Sequence, residues 1–279
     1  MTTTMTYQMQ RVLRAPLEAL HVCWVQLRVA WLHELQYRAH LVLQLVYTTT
    51  SVASALIGLG VVFAHAPTLA GWTHDQLLVV VGLHLIVGGM IGAVVQPGLK
   101  LLMEQVRLGT LDYTLIKPRD AQLLSSTQKI DPFKFVDVAA GIAVVVTGLV
   151  RSSSDLGAGQ VALFGLVAMC GAACVYHAWV LLSTVTFWFI RTGELLDIAR
   201  SSFDSGRWPT SMYGGMLKHL LTFVVPVGIA VTMPADVLVH GGGHMAGTIA
   251  LTVAFTIVMG VVARAVWTIA LRSYAGASA

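Results

Sequence analysis

The stretch GTLDYTLIKPRDAQLLSS, from Gly109 to Ser126, decides how the rest of the sequence is interpreted. It is charged and contains a proline, yet it lies between two of the most apolar blocks of the chain, Leu77–Leu99 and Phe135–Val150. An apolar helix of about 20 residues is long enough to cross a bilayer. The two blocks therefore predict membrane helices, and the quoted stretch predicts a polar connection on one side of the membrane.

The composition of the whole chain agrees with a membrane protein. Hydrophobic residues make up 56% of the 279 and charged residues only 11%, whereas an ordinary soluble domain has roughly 25% charged residues. The mean hydropathy is +0.77. The net charge of +4 is spread along the chain without a basic patch, so the composition does not favour nucleic-acid binding.

The apolar blocks predict six membrane spans in an all-α fold. They are continuous, whereas the strands of a membrane barrel alternate in polarity. The predicted spans are Leu41–Ala64, Leu77–Leu99, Phe135–Val150, Gln160–Ile190, Leu220–Met233 and Met245–Ala263.

Lysine and arginine predict the orientation, because these residues are enriched in cytoplasmic loops. With six spans, Arg151 alone falls on the side opposite to all the others. We therefore expect a multi-pass protein of a bacterial inner membrane with both termini in the cytoplasm. The external connections are predicted to be short: His65–Gln76, Arg151–Gly159 and Pro234–His244.

Residues 1–40 predict an amphipathic helix ahead of the first span. Apolar side chains recur at steps of three and four, with Trp24 and Trp31 among them. Tryptophans beside basic residues suit the headgroup level of the inner leaflet. The alternative is a helix packed on the protein's own cytoplasmic face.

The quoted stretch predicts a short helix held below the bilayer. Pro97 is expected to end the second span, and a helical segment, Gly98–Leu108, then projects until Gly109 stops it. Pro118 suits the first turn of a new helix. A soluble partner that grips this helix and a helix that rests on the lipid surface are both compatible with the residues.

Four residues inside the predicted spans are candidates for function. His84 lies near the middle of the second span, where an ionisable group is a functional hypothesis by default. Pro226 is expected to kink the fifth span, either as a gate or as static shape. Gly88 and Gly92 form a G-x-x-x-G that favours close helix packing.

Charged residues are otherwise predicted to lie outside the bilayer. The stretch GELLDIARSSFD is expected to form a second cytoplasmic amphipathic helix with a solvated charged face. A transport pathway without charges at mid-membrane depth suits an amphipathic or apolar cargo.

Three motifs together carry a resemblance to a known family. They are G-x-L-D-x-x-L-x-K-P from Gly109, G-R-W-P from Gly206, and P-V-x-x-A-x-x-x-P-A from Pro226, and the ending WTIALRSYAGASA agrees with them. The sequence resembles ABC-2 type transporter permeases, and more narrowly a bacterial six-span subfamily formerly labelled as a domain of unknown function. The resemblance covers nearly the whole chain.

This resemblance implies a permease domain over 41–272, a connecting interfacial helix over 1–40 and a cytoplasmic tail over 273–279. It also implies a coupling helix at about 118–128 that enters a groove of a separate ATPase. The ATPase-coupling residues would be Leu115, Ile116, Lys117, Pro118, Arg119 and Asp120. Such permeases pair with a second six-span permease, identical or homologous, above two ABC ATPase subunits. They carry short re-entrant helices between the fifth and sixth spans, a feature that the short, glycine-rich Pro234–His244 does not match.

The residues agree with the implied division of labour. The chain contains no G-x-x-x-x-G-K-[ST], the motif that cradles nucleotide phosphates. ATP and Mg²⁺ are therefore expected on the partner, and this chain is expected to be non-catalytic, with no cofactor or metal of its own. The alternative function is an ATP-independent secondary transporter or channel, for which intramembrane carboxylates or inverted repeats would be the sign.

Overall fold

A computed structural model describes residues 28, 38–117, 120–152, 157–189, 192–240 and 246–274. Within these residues the chain is helical and forms no β-strand, which confirms the predicted all-α class. Five helices are long and apolar enough to cross a membrane, or six if one bent pair of helices counts as a span. The predicted N-terminal helix, with Trp24 and Trp31, lies outside the described residues.

The helices follow one another with short connections. The first span is α1 (Arg38–Phe63), and the second is α2 (His74–Met90), continued through a π-helical turn (Ile91–Val95) into α3 (Gln96–Leu108). Two short helices follow, α4 (Asp112–Leu115) and α5 (Ala121–Thr127). The third span is α6 (Phe135–Arg151) and the fourth is α7 (Ala158–Thr184). The remaining helices are α8 (Leu195–Ser205), α9 (Gly215–His219), α10 (Met233–His240) and α11 (Ala246–Ser273), the sixth span. We call the connection 109–131 the stub, and its side of the bundle the stub end.

The second and third spans pack along a line of glycines. Gly82 and Gly89 of α2 face Gly141 and Gly148 of α6 and their neighbours. A methyl group on Gly82 would lie 2.7 Å from the Gly141 carbonyl oxygen. Small residues let membrane helices approach closely enough for extensive van der Waals contact. This pair is accordingly the most extensive helix contact of the described residues.

The second span does not end at Pro97, as the sequence suggested, but runs for 35 residues from His74 to Leu108. Proline removes the backbone bond to the carbonyl four residues earlier. Here that carbonyl belongs to Ala93, within the π-helical turn, and it accepts a hydrogen bond of 2.8 Å from the Asp131 backbone N–H. A helix of this length measures about 52 Å, against about 30 Å of hydrocarbon. The helix therefore continues well past the bilayer at the stub end.

The fourth span packs against the sixth and against residues 228–240. Gly171 of α7 lies against the backbone of Ile229 and Ala230, so a larger residue would not fit there. At the opposite end of the bundle, Gln160 Nε2 donates to the carbonyls of Val237 and Leu238. Residues 228–240 therefore run beside the fourth span towards the end opposite the stub.

Residues 195–213 run beside the second span instead of forming a loop at the stub end. Asp197 pairs with Lys100 at 2.6 Å, Phe203 stacks on His84 with ring centroids 4.7 Å apart, and the Trp72 indole N–H donates to Ser211. These contacts advance along the second span from its stub end to its opposite end. The prediction that Arg200 and Arg207 lie in a cytoplasmic loop is therefore wrong.

The predicted fifth span, Leu220–Met233, is instead part of a bent helix pair. Segments Gly215–Val224 and Gly228–His240 meet at 75° around Pro226, with π-helical turns on both sides of the proline. Ser211, just before the pair, and His240, its last residue, both contact Trp72. Residues 195–213 therefore run from the stub end to the opposite end of the bundle, and the bent pair begins and ends near that opposite end. Pro234–His240, predicted as part of an external loop, is helical. Lys218 lies in the bent pair and not at the stub end, where the six-span prediction placed it.

The attachment of the stub to α3 can be tested at Gly98. A methyl group there would overlap the Ser126 carbonyl of α5, which is backbone and cannot rotate away. We expect Gly98→Ala to lower the free energy of unfolding by about 1–3 kcal/mol, the range for overpacking, measured by thermal unfolding in detergent.

The matched control is Gly165→Ala in the fourth span, where no atom lies within 4 Å of the added methyl. This substitution should leave stability unchanged or raise it by up to about 1 kcal/mol. Equal effects of the two substitutions would contradict the close contact between α3 and α5.

Candidate functional site

The tip of the stub is a compact turn with an exposed apolar face. Gly109 ends α3 in the left-handed conformation at φ 69°, as its position predicted. Leu111 and Thr114 are buried, whereas Tyr113 is 74% and Ile116 is 78% exposed. The buried pair fixes the turn, so the exposed pair is presented on an ordered surface.

The helix α5 docks across the stub ends of three spans. Its buried residues are Gln122, Ser125, Ser126 and Thr127. The Ser126 hydroxyl bonds the Tyr176 hydroxyl of the fourth span at 3.1 Å. Arg264 of the sixth span donates to Asp120 at 2.6 Å and to Gln122 at 3.1 Å. Together with the Gly98 contact, these bonds join the stub to the second, fourth and sixth spans.

Asp120 has two local roles. It caps α5 by accepting the Leu123 backbone N–H at 3.0 Å, and it pairs with Arg264. Partial burial raises the pKa of the Asp120 carboxyl, but the hydrogen bonds from Arg264 and Leu123 outweigh burial, and the net pKa lies below its usual value. The carboxyl is therefore ionised at neutral pH and holds the start of α5 against the sixth span.

The residues predicted to couple to an ATPase are divided between the tip and the docked helix. Leu115 is partly buried, Ile116 and Lys117 are exposed, and Asp120 is exposed at the start of α5. Pro118 and Arg119 lie outside the described residues. The helix predicted over 118–128 is formed over Ala121–Thr127. Because its side chains are largely buried against the spans, it does not project away from them as an isolated helix. The exposed apolar surface belongs mainly to residues 113–116.

A polar cluster lies farther along the second span, between the first, second and third spans and α8. Asp137 of α6 is buried and accepts hydrogen bonds from Gln44 at 3.0 Å and from Thr48. Lys134 approaches its second oxygen at 3.8 Å. The first and third spans are therefore joined by hydrogen bonds to an intramembrane carboxylate.

The α8 side of the cluster contributes three more charges. Arg200 pairs with Asp204 at 3.3 Å and donates to the Gly88 carbonyl. Asp204 approaches His84 Nε2 at 3.9 Å. Arg207, His84 and Asp137 line one cavity of about 90 Å³ together with Arg200 and Asp204.

This cluster contradicts the prediction that no charge lies at mid-membrane depth. Arg200, Asp204 and Arg207 recur at steps of four and three, a spacing that was interpreted as a solvated face. The face is instead turned towards the second span, where Gly88 and Gly92 leave room for the Arg200 guanidinium. The G-x-x-x-G thus packs against α8 and Lys134. Of the two predicted pathway residues, His84 lines the cavity, and Pro226 lies at the bend of the helix pair without lining it.

The fold and the stub define a class of protein: a multi-span membrane subunit whose spans are tied to an ordered surface at one end. The family of ABC-2 family transporter proteins matches residues 49–278, and the chain belongs to this family. It is therefore a permease component of an ABC transporter, and the resemblance in the motifs is confirmed. No curated protein and no solved structure matches the chain.

The pair between Asp120 and Arg264 can be tested with Asp120→Asn. Asparagine still caps a helix but cannot pair with arginine, so we expect the substitution to lower stability at pH 7 by about 1 kcal/mol or less, as for other exposed pairs. Thermal unfolding in detergent measures the effect.

The effect should depend on pH in one direction. Because the folded pKa of Asp120 is lowered, its contribution is present above the pKa of the unfolded chain, about 3.9. It is lost as the pH falls through the folded value. The difference between wild type and Asp120→Asn should therefore be constant from pH 7 to pH 5, begin to fall near pH 4 and disappear below the lowered folded pKa. A difference that grows on acidification would contradict this assignment.

Proposed function

We propose that this chain is the membrane-spanning subunit of an ABC exporter and that separate ATPase subunits drive it through the stub. The observation that carries the proposal is the exposed apolar pair Tyr113 and Ile116 on a turn that is fixed to the spans. Exposed aromatic and aliphatic side chains on an ordered surface are typical of a protein contact. Two ATPase copies and a second permease, identical or homologous, complete the assembly.

The contacts of the stub supply a route for mechanical force. A push on the tip reaches the second span through α3, through the Asp131–Ala93 bond and through the Gly98–Ser126 contact. It reaches the sixth span through Asp120 and Arg264. ATP and Mg²⁺ act on the partner, while this chain positions the contact and moves the spans.

This proposal places the stub in the cytoplasm of a bacterial cell, because ATP is available there, and both termini on the same side. The bilayer is the inner membrane. The cargo is amphipathic, since the polar cluster among the spans removes the argument for a purely apolar one.

One observation favours the alternative of an ATP-independent transporter or channel. Asp137 and Asp204 are carboxylates among the spans, the feature that such a mechanism requires. Asp137 is held by Gln44, Thr48 and Lys134, however, and Asp204 by Arg200. Both carboxylates therefore have structural partners, and ATP dependence separates the two functions.

The test uses the chain purified from its native membrane in mild detergent. We expect ATPase activity to co-purify with the wild type and to fall about 30-fold or more with Ile116→Asp, the effect of losing an interface residue worth about 2 kcal/mol. Ile116 is exposed, so the substitution should not unfold the chain.

The control is Met216→Asp in α9, which is 82% exposed and lies in the bent pair away from the stub. It should retain the co-purifying activity. Purified chain that moves an amphiphile across vesicles without ATP, or Ile116→Asp that retains full ATPase activity, would contradict the proposal.

A further inference from the structure

The residues that line the cavity beside His84 carry two positive and two negative charges, and Lys134 next to the cavity adds a third positive charge. The neighbourhood of the cavity therefore contains the cations Lys134, Arg200 and Arg207 and the carboxylates Asp137 and Asp204. With neutral histidine, one positive charge is left without a matching carboxylate. A charge among membrane spans is costly, about 2.5–3.5 kcal/mol at mid-helix, so the excess calls for a partner.

Most of these groups are already engaged with one another. Asp137 accepts from Gln44 and Thr48 and lies 3.8 Å from Lys134. Arg200 satisfies Asp204 and donates to the Gly88 carbonyl. Neither carboxylate is therefore free to take a cation from outside, and Arg200 has little remaining capacity for an anion.

Two residues of the cavity wall, Arg207 and His84, have unused hydrogen-bonding capacity. Within the described part of the chain, Arg207 makes no ion pair or hydrogen bond. His84 is 4% exposed, and its Nδ1 atom is buried without a hydrogen-bond partner among the same residues. Buried polar atoms are normally satisfied, so the histidine is a second sign, independent of the charge, that the cavity receives a polar group.

We propose that this cavity binds the anionic head of an amphipathic cargo, with Arg207 as the charge partner and His84 as a second polar residue of the wall. The planar guanidinium offers paired donors that match a phosphate or carboxylate. The inference rests on the proposed transport function and narrows its cargo to anionic amphiphiles.

The dimensions and surroundings of the cavity suit a head group with its tail outside. A volume of about 90 Å³ corresponds to roughly three water molecules, enough for one phosphate or carboxylate. Tyr47 of the first span lines the cavity and is 57% exposed. Beside it, Leu43 and Val46 present an exposed apolar surface. An acyl chain attached to a bound head therefore has an apolar surface to follow.

The test measures ligand binding to the purified permease in neutral detergent, by saturable shifts of the unfolding temperature. The probes are oleoyl lysophosphatidic acid, oleoyl lysophosphatidylcholine, oleylamine and inorganic phosphate. We expect the phosphate monoester to bind best, because the same tail with a choline-capped phosphate, or with a cationic head, fits the excess positive charge less well. Binding of inorganic phosphate without lysophosphatidic acid would overturn the assignment to an amphiphile.

Substitutions at Arg207 test whether this residue binds the anionic head group. Arg207→Gln should weaken lysophosphatidic acid binding about 10-fold or more, as expected for removing the partner of a charged head group worth about 1.4 kcal/mol, whereas Arg207→Lys should retain part of it. Arg272→Gln, an exposed arginine at the end of α11, should bind like the wild type. Unchanged binding by Arg207→Gln, or tighter binding of oleylamine, would overturn the proposal.

Two further measurements keep the test decisive. If Arg207→Gln does not fold, His84→Gln and the head-group selectivity of the wild type test the same site. The assay contains no ATPase, so a failure to bind the anion leaves the stub proposal standing. If Ile116→Asp retained full ATPase activity, the ATPase proposal would fail, but the proposed anion site would be unaffected.

Discussion

The hydrogen bond from the Asp131 backbone N–H to the Ala93 carbonyl is the constraint on which the arrangement depends. Pro97 deprives that carbonyl of its helical donor, and an unsatisfied backbone group in a membrane costs several kcal/mol. The π-helical turn at Ile91–Val95 lets the helix continue past the proline, and the returning chain supplies the missing donor. The π-helical turn of the second span and the attachment of the stub thus have the same cause. Pro97 leaves the Ala93 carbonyl without its helical donor, and Asp131 at the end of the stub supplies one.

The second span consequently connects every functional part of the molecule. Its glycines Gly82 and Gly89 pack on the third span, Gly88 holds Arg200 of α8, and Gly98 holds α5. Ten helical residues, about 15 Å, separate the Gly88 contact from the Gly98 contact. A partner that displaced α2 and α3 as one body would therefore move the wall of the polar cavity as well as the stub. No separate transmission element is needed, because one helix belongs to both sites.

The sequence was informative wherever a single physical rule dominated. Continuous apolar blocks predicted α1 and α6 within a few residues, since burial in lipid requires both length and apolarity. They also predicted where α7 and α11 begin, but α11 runs on to Ser273, past the predicted end at Ala263. Gly109 predicted the end of α3, because a left-handed residue strongly favours glycine. The rules failed where tertiary partners outweighed local chemistry. Pro97 was expected to end a helix, but the Ala93 carbonyl found a donor at Asp131, a residue 38 positions away in the chain. The stretch GELLDIARSSFD was predicted to face water because of its charges. The spacing of Arg200 and Asp204 permits their pairing, but nothing local indicates that the Gly88 carbonyl accepts a hydrogen bond from Arg200.

The polar cluster also explains why α8 has the composition it has. An amphipathic helix at a membrane surface would turn its charges to water and its apolar side chains to lipid. In α8, Leu196, Ala199 and Phe203 are buried in the protein, and Arg200 is also turned inward, on to the Gly88 carbonyl. Stability alone does not explain a guanidinium at this partly buried position, because replacing a buried ion pair by apolar packing is often neutral or stabilising. Arg200 and Asp204 neutralise each other, which leaves Arg207, a partly buried residue of the cavity wall, without an ion-pair partner among the described residues. The anion that we propose for the cavity would give Arg207 the partner that the described residues do not supply.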